Sequence, residues 1–426
     1  LYSDNVELAK RYFEAALIRD VKMMWANYYL AEAEYLLGNW QHSDELYRQV
    51  MDASLQETGV KIIQIRAKIG LARIEIGRGN MTQADELLRS ARQTAESAED
   101  SEAQIEALWQ LADLSVKQGL WQLQQQYLDQ AEQLSRTTEN LSLLYQSLFN
   151  LGQLDSPGRD EEKRLQDLQQ ALLYFTRWQD KRGQAGALLA LGTKQQLPIQ
   201  TRLQYQLSAL EKYQQSRDKV GEAWAMMSIG WLYLQQFDPE SAERYLNSAL
   251  ELHQNMGANT NQAFDVFYLG FAALDKGSRR NGQYNKQQLE QAREFLTQSI
   301  TLFRETSMPE RLPIAHLLLA SIDIDQENFV AAEKRLPQIV SDALPGQLRG
   351  MRAFEQLMKS FIKIRQQQWQ QALALLLPLR QLMADHPLVL HYLARCHYEL
   401  GDINSAIEVT ELLKSKIAAK WQDKDQ

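Results

Sequence analysis

The chain of 426 residues carries a net charge of −8 and a sequence isoelectric point of about 5.5. That balance speaks against a wide nucleic-acid footprint, which needs clustered Lys and Arg to neutralise phosphates. A single cysteine, Cys396, excludes an internal disulfide framework and a cysteine-based zinc site, and the longest apolar stretch, Ala372 to Leu379, is far short of a membrane span.

Hydrophobic residues make up 45% of the chain, and Leu, Ala, Gln and Glu dominate, with little of the Val, Ile and Thr enrichment of strands. In chain order, the first residues read as the second helix of a pair through Ala9, Phe13 and Ala16. With Leu rather than Met at position 1, the chain reads as a piece of a longer protein, so missing targeting signals carry little weight. From there a pattern returns about every 40 residues: an apolar residue, then Gly or Ala, a small residue about 12 positions on, and another 7 beyond that. It runs through Leu30-Ala31 with Ser43, Tyr47 and Val50; Leu71-Ala72 with Ala84, Leu88 and Ala91; and Leu111-Ala112 with Leu128 and Ala131. It continues in Leu151-Gly152 with Leu168 and Ala171, and is clearest in Ile229-Gly230 with Tyr233, Ala242, Leu246 and Ala249. Leu269-Gly270 with Ala292 and Leu296, Leu319-Ala320 with Ala332 and Leu336, and Leu393-Ala394 with Ala406 complete it.

Repeats of this length predict stacked helix pairs, each burying its apolar face on its neighbours. The turns carry the punctuation such pairs need, at Gly38-Asn39, Gly79-Asn80, Gly119 and Gly401-Asp402. Asp238-Pro239 supplies an N-cap followed by Pro at the first helical position, where its missing N–H costs nothing. The count is about ten pairs, preceded by a half-unit and closed by a helix from Ala406 to Trp421. The regular part is expected over residues 1–310 and a less regular part over 311–426. Asp155 to Gly158 is expected to cut one first helix short, and Gly277 to Asn285, carrying Arg279 and Arg280, reads as an insertion. Pro337 and Pro378 fall inside second helices, where each removes a hydrogen bond and favours a kink.

These small-residue positions resemble the tetratricopeptide repeat, whose pattern is matched by Trp224, Ile229-Gly230, Tyr233, Ala242, Leu246 and Ala249. The resemblance covers almost the whole chain. It loosens where Gln124 and Arg164 take first-Ala positions, and the period of about 40 rather than 34 implies longer helices. Such repeats are similar to those of MalT-like and CadC-like bacterial regulators and of peptide-sensing Rap-like proteins, a likeness also carried by Arg182-Gly183-Gln184-Ala185 before Leu191-Gly192. The resemblance implies an all-α, right-handed α-solenoid of about ten antiparallel helix pairs spanning residues 1–426.

Catalytic motifs are missing from the sequence: no P-loop, no zinc-protease helix and no nucleophile elbow. Of the histidines, only His386, His391 and His397 cluster, and His391 and His397 fall on roughly opposite sides of a helix. Asp323-Ile324-Asp325-Gln326-Glu327 begins like a calcium loop, but Asn328 stands where the Gly belongs and Lys334 where the bidentate Glu belongs. The expectation is therefore no cofactor, no metal and no enzyme.

In tetratricopeptide arrays the first helix of each pair lines the concave face. That mapping gives Trp25, Tyr28, Tyr35, Trp109, Trp224, Trp231, Phe264, Phe267, Phe271, Phe354, Phe361 and Arg395 as candidate partner-binding residues, with Glu32, Arg66, Arg73, Asp113, Met227 and His391 beside them. The expected role is a protein- or peptide-binding scaffold, the sensing module of a larger bacterial transcriptional or signalling regulator. Its partner is a protein, a peptide or another domain of the same protein, with no direct nucleic-acid binding and no membrane span in these residues. The alternatives are a free-standing assembly adaptor or chaperone-like scaffold and, more remotely, a ligand-binding or enzymatic solenoid. The compartment stays open: one cysteine fits a reducing cytosol, and a CadC-like anchored arrangement implies a periplasm.

Overall fold

The computed structural model describes residues 5–20, 23–53, 58–152, 160–277, 284–383 and 386–422, and every regular element within them is helical. A leading helix α1 (Val6–Arg19) precedes α2 (Met24–Leu36) and α3 (Trp40–Met51), α4 (Thr58–Arg78) and α5 (Met81–Ser97), and α6 (Ser101–Lys117) and α7 (Trp121–Thr137). Next come α8 (Leu141–Gly152) and α9 (Glu161–Arg177), α10 (Lys181–Leu191) and α11 (Ile199–Ser216), α12 (Lys219–Gln235) and α13 (Pro239–Met256), and α14 (Asn259–Gly277) and α15 (Lys286–Glu305). After a 3-10 turn at Pro309–Arg311 follow α16 (Leu312–Asp325) and α17 (Phe329–Ser341), α18 (Leu348–Arg365) and α19 (Trp369–Leu382), and α20 (Pro387–Glu399) and α21 (Ile403–Gln422). The described residues thus form one leading helix followed by ten consecutive helix pairs. The helix expected from Ala406 is the second member of the tenth pair rather than an addition. Two compact units divide the chain, Leu1–Met308 and Pro309–Gln426.

Small residues set the spacing within a pair. A methyl group on Gly230 of α12 would lie 2.6 Å from Leu246 Cγ of α13, and Ala242, Leu246 and Ala249 are fully buried beneath it. Each buried Leu of this kind contributes roughly 1.5–3 kcal/mol. In seven of the pairs the turn is closed by one residue with positive φ, either Gly as at Gly38, Gly79, Gly119 and Gly401, or an ordinary residue as at Phe237, Glu327 and Gln367. At the turn after α12, the Asp238 amide donates to the Tyr233 carbonyl at 3.0 Å, satisfying an end-of-helix acceptor. Asp238 then caps α13, accepting from the Ser241 amide at 3.0 Å, with Pro239 at the first helical position.

The first unit closes on itself. Thr260, the second residue of α14, donates its hydroxyl to the Gly77 carbonyl at the end of α4 at 3.0 Å, and the Asn259 side-chain amide donates to the Arg78 carbonyl at 3.3 Å. Ala223, Met256 and Ala258 pack into the same core cluster as Tyr28, Leu30, Tyr47 and Leu71. Gly79 permits this approach twice over: its φ is +95°, and a Cβ there would sit 2.8 Å from the Thr306 Cα.

In the second unit, α17 and α19 run as single helices through Pro337 and Pro378. Cys396 is fully buried in a core with Leu376, Leu390 and Leu393, as a small apolar side chain. Asp323 is fully buried and pairs with Arg335 at 3.0 Å, so this carboxylate of the calcium-like stretch serves the α16–α17 contact. The segment Asp155 to Gly158 and the insertion arginines Arg279 and Arg280 lie outside the described residues.

Candidate functional site

Because the first unit returns on itself, the inner faces of its first helices enclose a cavity of about 980 Å³. Tyr35 of α2, Arg73 of α4, Asp113 of α6, Phe149 of α8, Arg182 of α10, Trp224 and Trp231 of α12 and Tyr268 of α14 all line it. Seven consecutive pairs therefore each give their first helix to a single lumen, and Phe175 of α9 and Tyr213 of α11 reach it as well.

The charged groups on the wall are arranged in pairs. Arg73 binds Glu32, Tyr47 donates its hydroxyl to the same carboxylate, and Arg73 also donates to the Tyr47 oxygen at 3.1 Å. The guanidinium carbon lies 4.6 Å from the Tyr35 ring centroid. Burial works against the Glu32 charge, but the Arg73 charge and the two hydrogen bonds outweigh it and hold the carboxyl below its usual range. Burial likewise pushes the Tyr35 phenol up to about 12, against the pull of Arg73. Further round, Arg182 donates to Asp218 at 2.8 Å; burial disfavours its charge, and Asp218 more than restores it. Asp218 uses its other oxygen to cap α12 at the Gly221 amide, 2.8 Å away, and Asp180 caps α10 at the Gly183 amide, 3.0 Å away.

One wall is aromatic. Trp224, Met227, Ser228 and Trp231 lie on one face of α12, and the two indoles are 36% and 37% exposed. Trp231 stacks on Tyr268 at 5.1 Å and meets Phe271 edge-on at 6.3 Å. Lys117 of α6 stands over Trp224, its ammonium 5.5 Å from the ring centroid and 3.9 Å from an Asp113 oxygen. Glu106, two turns before Asp113 on the same helix, is lifted to about 7: burial leads, Arg66 opposes it, Glu32 and Glu102 add to it, and Arg73 works against it.

Of the residues expected on the groove, Tyr35, Arg73, Asp113, Trp224, Met227 and Trp231 reach the lumen. Tyr28 and Phe267 are core residues, 8% and 3% exposed, and leave the candidate surface; Phe267 packs on Phe303. Phe264 and Phe271 are half-buried, with Phe264 edge-on to Phe303 and Phe271 against Trp231. Trp109 is half-buried and donates to the Ser147 hydroxyl at 3.3 Å, while Trp25, 39% exposed, stacks on Tyr29. In the second unit Phe354 and Phe361 back the core formed by α18 to α20, and exposed Arg395 lies over the Trp369 ring at 5.4 Å. Arg182, Asp218, Phe149 and Tyr268 were not among the expected site residues. A signal for the first two is the doubled segment Asp180-Lys181-Arg182-Gly183-Gln184-Ala185 and Asp218-Lys219-Val220-Gly221-Glu222-Ala223. In each copy the Gly leaves room for an aromatic ring of the preceding helix, Phe175 in one and Tyr213 in the other.

Among curated proteins, none matches the sequence. Solved structures do match the fold. A Rap protein complexed with competence and sporulation factor is 16% identical, with a TM-score of 0.56, over 84% of this chain and 99% of that one. Aspartyl phosphate phosphatase F from Bacillus subtilis is 14% identical, with a TM-score of 0.48, over 85% of this chain and 95% of that one. A signal-transduction ATPase with a tetratricopeptide-repeat sensor from Pyrococcus horikoshii is 18% identical, with a TM-score of 0.45, over 84% of this chain and 55% of that one. Residues 225–255, the helix pair with the fullest small-residue pattern, match the tetratricopeptide repeat itself. Beyond that one matching repeat, the helix-pair architecture of the chain is similar to that of the Rap structure.

Proposed function

We propose that the first unit is a receptor for a short peptide, held in the lumen between α2 and α14, and that the chain serves as the sensing module of a bacterial transcriptional or signalling regulator. The observation that carries this reading is the lumen: about 980 Å³, at the upper end of the range for ligand pockets, with half-exposed indoles on one wall and side chains from seven pairs converging on it. Half-exposed aromatic rings in a concave site are the anchors that dominate peptide and protein interfaces. The Rap fold relative, seen in complex with competence and sporulation factor, supports the same reading by analogy. The expected partner is proteinaceous, since a net charge of −8 disfavours polyanionic partners. The lumen is read as a binding site without chemistry of its own. The test is retention of random synthetic pentapeptides by the immobilised chain and by the Trp224→Ser, Trp231→Ser double variant. Retention lost in the variant, with the helical circular-dichroism signal intact, supports the reading; equal retention by both overturns it.

A further inference from the structure

The last helix pair of the second unit, α20 and α21, presents a face that its predecessors bury. The turn residues Glu327, Gln367 and Gly401 hold the same position in three successive pairs. Counted from them, Ile324 and Ile364 correspond to Tyr398, Leu336 and Leu376 to Thr410, and Leu357 to His391. In the earlier pairs the following pair covers these positions. Ile324 shares a core cluster with Met358 and Ile362 of α18, and Leu357 and Ile364 share one with Leu390 and Leu393 of α20. On α20 the same positions are open. Tyr398 is 65% exposed where Ile364 is 5% exposed, and His391 is exposed where Leu357 is buried. The result is a groove of about 600 Å³ between α20 and α21, with Ala394, Tyr398, Ile403, Ala406, Ile407 and Thr410 among its lining.

We propose that this groove docks a second copy of the chain, groove against groove about a two-fold axis. An end pair that stays single needs a polar outer face, and this one exposes Tyr398, Leu400, Ile403 and Ile407. The charges select the occupant. The chain as a whole carries −8, so two copies repel over most of their surface. At this groove both signs stand together and exposed: Arg395 and Lys414 beside Glu399 and Glu411. A two-fold contact sets a patch against itself, so each charge must find its opposite within the same patch. Glu411 of one copy then meets Lys414 of the other, twice over. A further helix pair of the usual kind is a poorer occupant. Leu357, Phe361 and Leu376 of the preceding pair give way to His391, Arg395 and Thr410, polar groups that an ordinary apolar repeat would bury without partners. The groove shares no residue with the lumen, so the proposal stands apart from the peptide-receptor reading.

The experiment is sedimentation velocity of the full chain over a concentration series, with each variant checked for an unchanged helical circular-dichroism signal. The wild type is expected to pass from monomer to dimer as concentration rises. Ile407→Asp and Tyr398→Glu, both at exposed side chains, should each leave a monomer. Glu411→Lys and Lys414→Glu each set like charges across the axis and should weaken the dimer at least about tenfold. A one-to-one mixture of those two variants restores opposite charges at both contacts and should recover the wild-type dimer. A wild type that stays monomeric at its highest soluble concentration overturns the proposal and gives the face to a different occupant. A dimer that survives both Ile407→Asp and Tyr398→Glu overturns the assignment of the face. A mixture no tighter than either charge variant alone overturns the two-fold arrangement.

Discussion

Thr260 and Gly77, 183 residues apart in sequence, share a buried hydrogen bond of 3.0 Å that joins the start of α14 to the end of α4. The Thr260 side chain has no exposure, so its removal leaves the Gly77 carbonyl without this donor in a dry contact. Thr260→Val keeps the shape and deletes the bond. It should lower stability by about 1–2 kcal/mol, read from urea unfolding monitored by circular dichroism.

Two glycines should respond in opposite directions. Gly230→Leu forces a side chain into Leu246 and should cost at least about 2 kcal/mol, because the α12–α13 crossing cannot widen without breaking the packing of Ala242 and Ala249. Gly350 lies in α18, and a Cβ there meets nothing within 4 Å. Gly350→Ala should gain about 0.5–1 kcal/mol through helix propensity alone. Thermal melts of the two variants check both signs.

Phe267 and Trp231 separate core from lumen. Phe267, 3% exposed and packed on Phe303, should cost about 3–5 kcal/mol when replaced by Ala. Trp231→Ser, at a ring 37% exposed, should leave a folded protein with an intact helical signal. A soluble, stable Phe267→Ala protein would remove Phe267 from the core.

How far the sequence could be read follows from the same residues. The repeat pattern reports the crossing of the two helices of a pair directly, since Gly230, Ala242 and Ala249 are small for a reason that holds within one pair. Helix number, turn glycines and the Asp238-Pro239 cap were legible on that basis. Burial of Phe267 was not, because it depends on Phe303 of the neighbouring helix, and the groove mapping assigns a face without a depth. The lumen was legible only in part. Arg182 and Asp218 lie 36 residues apart in successive repeats, and their pairing is fixed by how adjacent pairs stack. The contact of α14 with α4 lies outside any reading that considers one repeat at a time.

Glu106 gives a pH signature. Its carboxyl titrates at about 7 in the folded chain against an ordinary value of 4.5, so the folded state holds a proton that the unfolded state has released between those values. The stability this confers is complete below pH 4.5 and is lost as pH rises through about 7. Glu106→Gln keeps the uncharged form at every pH. It should be more stable than the wild type above neutrality by on the order of 2 kcal/mol, with the difference vanishing toward acid. Chemical unfolding at a series of pH values checks the slope. Glu32 and Glu34, both held below their ordinary range, act in the opposite sense and only at lower pH.

An open array of helix pairs unravels from its ends, because each pair is held by its neighbours alone. The contacts of Thr260 and Asn259 with α4, and the packing of Met256 and Ala258 among the first helices, give the early pairs of the first unit a second, distant support. Fraying of α4 then requires loss of the α14 contact as well, and the two helices should share one opening free energy in amide hydrogen exchange. A ligand seated against Arg73 on one side and Trp231 on the other would bear on that shared opening, so occupancy of the lumen would be legible as protection of both helices at once.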